Sequence, residues 1–320
     1  MAADNIHYIY NSNMGIELIY CGNSTISYPL HNHVSVLTVG IVLDGHVALT
    51  VNGERKIYGK NQSFVIYPYM PHSILAHSCY TLLSICIDKN KGEHLMIKAV
   101  IFDMYETLIT HYQSPLYFGK QMAADAGIPE SKFGEQWHST EIDRTIGKMT
   151  LEEVIESILR DNGCYSEEVF CRIVQKRIAA KEECFRHLHK EIVPTLDGLR
   201  ERGMKVGLIS NCFSEEATVI RKSILFPYFD AACLSYEQGI RKPDAEIFTR
   251  CADQLKVKAG ECLYVGDGGS HELEAARAVG MNAVQAVWYL REGTNQPCGR
   301  KADFVQIENP LGLFEIMMQD

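Results

Sequence analysis

The chain has 320 residues, 46% of them hydrophobic, and a formal net charge of −9. That length exceeds one ordinary core and predicts two globular domains. No apolar run reaches the roughly 20 residues of a membrane helix, and residues 1–95 hold 5 Lys/Arg against 6 Asp/Glu and the remainder 26 against 34, so neither part has the basic stripe of a nucleic-acid binder.

The first residues, MAADNIHYIY, lack the basic-then-apolar pattern of a secretion signal. Eleven cysteines, an odd number without CxxC spacing, read as reduced thiols in a cytoplasmic protein. From residue 1 to about 90 the chain reads as short strands rich in Val, Ile, Leu and Tyr. Turn signals fall at Asp44-Gly45, Val51-Asn52-Gly53 and Gly59-Lys60-Asn61. This grammar predicts an antiparallel barrel or sandwich. DKNKGEH, residues 88–94, reads as a linker. From Met96 strands alternate with amphipathic helices, which predicts a parallel α/β sheet.

Three apolar runs in the second part end in chemistry-bearing residues. KAVIF leads to Asp103, MKVGLI to Ser210 and Asn211, and CLYVG to Asp267; open α/β sheets present ligand groups at such strand tips. In EQGIRKPDAEIF, Lys242 and Pro243 are expected to start a helix with Asp244 and Glu246 in its first turn, and Arg241 reads as solvated. Ser270 is expected to cap the helix carrying Glu272. Each piece has a plainer reading as a loop cap, a turn or a solvated helix start. Cys212 reads as packing.

The first part resembles the cupin-like ligand-binding domain of AraC-type transcription regulators, on YPLHNH, a Gly-bounded strand pair and YPYMPH. His31, His33 and His72 can supply three imidazoles to a metal, but Leu37 and Thr38 stand where metal-binding cupins carry a Glu. A small-ligand pocket, a dimerisation surface, a metal site and a structural role stay open for this barrel. The helix-turn-helix units that follow such barrels in regulators are absent from the sequence, so no nucleic-acid partner is expected.

The second part, residues 96–320, resembles the haloacid dehalogenase (HAD) superfamily through its ordered Asp, Ser-Asn, Lys-Pro and Gly-Asp motifs. The overall expectation is an α/β Rossmann-like HAD core with a helical cap at about 113–190, preceded by an all-β cupin-like barrel. The resemblance implies that Asp103 is the nucleophile, with Ser210 and Lys242 binding the attacked group. It also implies a Mg²⁺ held by Asp103, the Tyr105 carbonyl, Asp267 and Glu272. Thr107, Asn211, Arg144 and Lys148 are the expected substrate contacts. Arg144, Thr145, Gly147 and Lys148 form a basic turn ahead of a helix capped by Thr150 and Glu153. His111 is a further cleft candidate.

One position departs from the phosphatase pattern. Tyr105 stands where HAD phosphatases usually carry a general acid, and a phenol titrates near pH 10. The L-2-haloacid dehalogenases carry a Tyr there, since a departing halide needs no proton, but they lack the Gly-Asp metal motif and have Gly where this chain has Glu106. A Mg²⁺-dependent phosphatase acting on a small phosphorylated metabolite through an aspartyl-phosphate is therefore expected. A dehalogenase-like hydrolase, or a ligand-responsive regulatory protein with a weakly active HAD domain, is the alternative. A homodimer through the barrel is a further expectation from the resemblance.

Overall fold

A computed structural model describes residues 5–11, 15–88, 97–291 and 298–319. The chain divides into two compact units between Met96 and Ile97. Except for Asp88, the expected linker at 88–94 lies outside the described residues.

The first unit contains β1 (Asn5–Asn11), β2 (Ile16–Ser24), β3 (Tyr28–His31), β4 (Val36–Asp44), β5 (His46–Val51), β6 (Glu54–Gly59), β7 (Ser63–Ile66), β8 (His72–Leu75) and β9 (Tyr80–Asp88). They form a five-stranded sheet, β1-β2-β9-β4-β7, and a four-stranded sheet, β3-β8-β5-β6. The pairings are antiparallel throughout. Asn52 and Gly53 turn β5 into β6 with φ of 50° and 83°, the left-handed pair that a two-residue hairpin needs and that Asn-Gly supplies at little cost. Val42, Val47, Leu49, Phe64 and Leu82 build the core between the sheets. Each such side chain contributes roughly 1.5–3 kcal/mol on burial. Gly40 is required there, since a Cβ would sit 2.3 Å from the Phe64 ring.

The second unit is built on β10 (Ala99–Phe102), β11 (Lys205–Ser210), β12 (Ala231–Leu234), β13 (Cys262–Gly266), β14 (Asn282–Ala286) and β15 (Val305–Ile307). These make a parallel sheet in the order β12-β11-β10-β13-β14-β15. Alternate residues of a strand point to opposite faces, and β10 shows it: Val100 and Phe102 enter one core, Ala99 and Ile101 the other. A strand buried on both faces must be apolar throughout, which is why KAVIF reads as a continuous run. The order reverses between β10 and β13, the switch point where such sheets open a crevice.

Between β10 and β11 the chain forms α1 (Gly119–Ala126), α2 (Glu130–Ser139), α3 (Glu141–Thr145), α4 (Leu151–Asp161), α5 (Glu167–Cys184) and α6 (Ile192–Glu201). Residues of α1, α2, α4 and α5, among them Met122, Phe133, Val154 and Ile173, share a separate apolar core, so this insertion packs as a cap of its own. Thr150 and Glu153 form the expected capping box on α4. The remaining helices are α7 (Ser214–Lys222), α8 (Ser235–Gln238), α9 (Ala245–Leu255), α10 (Glu272–Ala278) and α11 (Gly312–Gln319).

Two local expectations are corrected. Lys242 and Pro243 precede α9 rather than start it, because Asp244 is its N-cap and accepts from the Glu246 N–H at 2.9 Å. Ser270 does not cap α10: it holds a left-handed φ of 52°, and the N-cap is His271, which makes no side-chain bond. A Gly-Gly-Ser run lets the chain make a tight 3₁₀ turn first.

Candidate active site

Asp103, Ser210, Asn211 and Asp267 all emerge at or just beyond the C-terminal tips of β10, β11 and β13, and Lys242 reaches the same place from the loop before α9. The Lys242 ammonium lies 2.6 Å from Asp103 and also contacts Glu272. It further donates to the Ile209 carbonyl and the Tyr264 hydroxyl, both at 3.3 Å. Only 3% of Lys242 is exposed, so each contact acts in a low dielectric. Asn211 fixes this lysine from behind: its amide accepts from the Lys242 N–H at 2.8 Å and donates to the Lys242 carbonyl at 3.0 Å.

Glu272 is seated through both oxygens, accepting from the Tyr264 hydroxyl at 2.8 Å and the Gly268 N–H at 3.1 Å. Its seat requires Gly266, where a Cβ would sit 2.0 Å from the carboxylate. Asp103, Asp267 and Glu272 each offer an oxygen within 4.8 Å of the others. Burial and the neighbouring Glu272 push Asp103 up to about 7, although Lys242 pulls the other way. Burial, Glu272 and Asp103 together hold Asp267 well above the carboxylate range. Three acids against one lysine leave negative charge uncompensated, and hard oxygens in this arrangement fit a small divalent cation such as Mg²⁺.

The hydroxyls of Ser210 and Thr107 are buried beside these strand ends and meet no hydrogen-bond partner among the described residues. Buried hydroxyls ordinarily find partners, and orphaned ones at a functional site point to a missing ligand. The Tyr105 hydroxyl is buried and orphaned too, and burial raises its pKa well above the usual phenol value.

Two cavities meet here. A cleft of about 210 Å³ is lined by Asp103, Glu106, Lys242, Asp267 and Glu272. A larger one, about 490 Å³, extends under the cap past Phe118, Trp137, Phe213, Arg177 and Lys181. Tyr105, His111, Asn211 and Ser270 line both. The Tyr105 and His111 rings stack at 4.4 Å, so the phenol is held along the wall between the two spaces.

Sequence reasoning missed the charges under the cap. Arg177 of α5 pairs with Glu215 at 2.9 Å and Glu216 at 3.2 Å on α7, and Lys181 pairs with Glu216 at 2.6 Å. Lys181 also meets His111 Nε2 at 2.6 Å, and His111 Nδ1 lies 3.3 Å from Glu106. Burial and the adjacent Lys181 ammonium depress His111 to about 4, so it is neutral at pH 7. The signal available was thin: Arg177 and Lys181 are spaced i,i+4 on one helix face, between the apolar Ile173 and Cys184. Glu106 holds a left-handed φ of 58°, and its carboxylate accepts from the Thr110 hydroxyl at 2.6 Å and the His111 N–H at 3.0 Å.

The basic turn is arranged differently from the expectation. Arg144 is buried, its guanidinium 3.6 Å from the Trp137 ring centroid and 4.1 Å from that of Phe213. It donates to the Trp137 carbonyl and the Thr140 hydroxyl, so it stacks behind the cavity wall. Lys148 is exposed beside Asp143 and lines neither cavity. Thr145 does line the larger one, and so does Arg241, which the sequence reading left in solvent. Cys212 is buried as expected, and all eleven cysteines are free thiols.

In the barrel, His31, His33 and His72 converge, with ring centroids 4.3–5.3 Å apart. The Nδ1 atoms of His31 and His72 pair with the Pro29 and Met70 carbonyls, which leaves their Nε2 atoms to the cavity of about 180 Å³ that the three rings line. Thr38 faces that cavity where a carboxylate was sought, and its hydroxyl lies 3.5 Å from the Cys86 sulfur.

A family model described as haloacid dehalogenase-like hydrolase matches residues 97–280, and a cupin domain model matches residues 23–86. The chain is 41% identical over 219 residues to phosphoglycolate phosphatase of Xanthomonas campestris pv. campestris, covering 68% of this chain and 95% of that protein. It is 27% identical over 239 residues to glyceraldehyde 3-phosphate phosphatase of Methanopyrus kandleri, covering 70% and 98%. Among solved structures, 2-haloacid dehalogenase of Pseudomonas syringae pv. Tomato shares the fold, with a TM-score of 0.52 at 23% identity over 70% of this chain and 99% of that one. With the strand-tip Asp103, the buried Lys242 and the Asp267–Glu272 pair on such a sheet, the chain belongs to the haloacid dehalogenase-like hydrolase family.

Proposed function

We propose that the second unit is a Mg²⁺-dependent phosphatase that cleaves a small phosphorylated metabolite through an aspartyl-phosphate. The observation that carries this reading is the Asp103–Lys242–Asp267–Glu272 cluster at the strand tips, with the buried, unpartnered hydroxyls of Ser210 at the end of β11 and Thr107 in the loop after β10. Two phosphatases among the relatives support it. A Mg²⁺ held by Asp103, the Tyr105 carbonyl and Asp267, with Glu272 behind, supplies positive charge to the phosphoryl oxygens when bound.

The chain's own residues do the rest. Lys242 favours the ionised form of Asp103, countering in part the burial and the Glu272 charge that raise its pKa, and offsets the incoming anion. Asp103 attacks phosphorus, the P–O bond to the leaving group breaks, and water then cleaves the acyl-phosphate to restore the carboxylate. Ser210 and Thr107 can donate to the transferred group, and Asn211 holds Lys242 in register. Burial keeps the Tyr105 phenol protonated and only weakly acidic at neutral pH. It cannot take the proton of the attacking water, so the proton transfers fall to other groups that line the cavities, among them Glu106 in the cleft and Lys181 under the cap. Its eleven free thiols suit a cytoplasmic enzyme, and no described helix is long and apolar enough to cross a membrane.

Tyr105 favours one rival reading, halide displacement. Phosphate release across sugar, nucleotide and cofactor phosphates, with Mg²⁺ and with EDTA, decides between them when run beside halide release from 2-chloropropionate. The phosphatase reading requires phosphate release that EDTA and Asp103→Asn both abolish. EDTA-resistant halide release that needs Asp103 but not Asp267 would overturn it.

A further inference from the structure

A phosphoryl group seated at Asp103 directs its leaving group past the Tyr105–His111 stack into the space of about 490 Å³ under the cap. Pockets of about 300–1,000 Å³ enclose whole small-molecule ligands. A two- or three-carbon leaving group fills only roughly 100 Å³ of such a space, at ~30 Å³ for each water displaced. Three aromatic side chains, Phe118, Trp137 and Phe213, line the cavity, and buried cations brace them. Arg144 packs on Trp137 and Phe213 from behind, at 3.6 and 4.1 Å from their ring centroids. Lys181 and Arg177 lie 5.3 and 5.7 Å from that of Phe118. Rings held in place this way offer their surfaces to a planar guest without first having to be ordered.

The cations of α5 carry no spare charge for a substrate. Every guanidinium nitrogen of Arg177 is engaged: Nε donates to Glu215 at 2.9 Å, Nη2 to Glu216 at 3.2 Å and Nη1 to the Tyr117 carbonyl at 3.0 Å. Lys181 is held by Glu216 and by His111 Nε2, both at 2.6 Å. Glu216 and Glu141 themselves line the cavity. A carboxylate on the leaving group would therefore lose its water beside fixed acids, with no free ammonium or guanidinium of α5 to receive it. Arg241, from the loop before Lys242, also lines the space and makes no ion pair among the described residues.

We propose that the cap cavity selects phosphate esters whose leaving group carries an uncharged planar ring, aromatic or heteroaromatic. This departs from the short phosphoglycolate and glyceraldehyde 3-phosphate named for two of the relatives. The inference rests on the phosphatase reading and names the substrate class of that same site. Ring stacking supplies the selection, since removing one aromatic wall from a stacked base typically weakens binding ~5–100-fold. The internal ion pairs supply the exclusion, because Glu215 and Glu216 occupy the positions on Arg177 and Lys181 that an acidic leaving group would need.

The test is steady-state phosphate release by the full chain with Mg²⁺ from pyridoxal 5′-phosphate, adenosine 5′-monophosphate, phosphoglycolate and glyceraldehyde 3-phosphate. At least one ring-bearing ester should exceed both short ones in kcat/KM by ~10-fold or more. Phe118→Leu and Phe213→Leu should each lower the ratio of ring-bearing ester to phosphoglycolate at least ~5-fold, the loss of one stacking wall. Glu216→Gln, which frees Lys181, should shift the ratio the same way by admitting the carboxylate. Far-UV circular dichroism identifies the folded variants. Release led by phosphoglycolate or glyceraldehyde 3-phosphate overturns the proposal and leaves the phosphatase reading standing; loss of that release in Arg241→Gln would then identify the anchor. No release from any of the four removes both readings. A ring preference that survives the substitutions in folded protein also overturns the proposal, since these walls would not be its source.

Discussion

Replacing Lys242 by Met keeps the length of the side chain and removes its charge from contact with Asp103, Glu272, the Tyr264 hydroxyl and the Ile209 carbonyl. Removing one partner of a buried ion pair costs about 3–5 kcal/mol, because the other charge stays desolvated. Asp103 and Asp267 already lie above the usual carboxylate range, so part of that cost is relieved by proton uptake, and we take ~3 kcal/mol. For a unit of this size that lowers Tm by roughly 6–12 °C.

The pH dependence follows from the signs. Lys242 is raised above its ordinary value, so its stabilisation is present throughout the neutral range and is lost only in strong alkali. The acids are raised as well, and without Lys242 they destabilise the folded state increasingly as pH rises. The gap between variant and wild type should therefore widen from pH 6 to pH 8 in EDTA. The chain's two tryptophans, Trp137 and Trp288, both lie in the second unit, so their fluorescence follows its melting alone. Mg²⁺ should recover part of the loss by replacing the missing positive charge. A variant that melts with the wild type in EDTA at pH 8 would refute the reasoning, and so would a gap that narrows as pH rises.

If Lys181 serves the leaving group, Lys181→Met should lower kcat/KM by ~10²-fold for alkyl phosphates and far less for p-nitrophenyl phosphate, whose leaving group needs no proton; equal losses on both would remove that role. Gly147 has a φ of 78°, and a Cβ there would sit 2.2 Å from the Tyr236 carbonyl oxygen. Gly147→Ala should thus cost about 1–3 kcal/mol and raise KM as the cap loop is pushed off α8, measurable by melting and by steady-state kinetics together. Burial opposes ionisation of Glu216, yet Lys181 and Arg177 outweigh it and hold the carboxyl down to about 2. Its contribution is present above the ordinary 4.5 and lost as pH falls toward 2, so acid unfolding followed by Trp fluorescence should begin at higher pH in Glu216→Gln.

The catalytic end was legible because its signals are local. A strand covered on both faces must be an unbroken apolar run, so KAVIF and CLYVG announce their own ends, and the groups that follow, Asp103 and Asp267, stand at the crevice of a parallel sheet. The cap was legible as helices but not as a surface. Arg144 looks like a solvent-seeking cation until Trp137 and Phe213, far apart in sequence, are found packed around its guanidinium with their rings edge to face. Arg177 and Lys181 look solvated on α5 because the acids that neutralise them belong to α7, more than thirty residues on. Glu106 is a milder case: nothing in ETL announces its left-handed backbone or the bonds its carboxylate accepts from Thr110 and His111.

The ion pairs between α5 and α7 bear on the rhythm of turnover. Arg177 and Lys181 ride on the cap, whereas Glu215 and Glu216 belong to the core. Any movement that lifts the cap to admit substrate or release product separates these charges and must rehydrate all four at once. Closure is thus latched by electrostatics as well as by apolar packing, and dissolved ions compete for the latch. The expected signature is a kcat that climbs with ionic strength when release limits the cycle, and that loses this dependence once Glu215 and Glu216 are both made Gln.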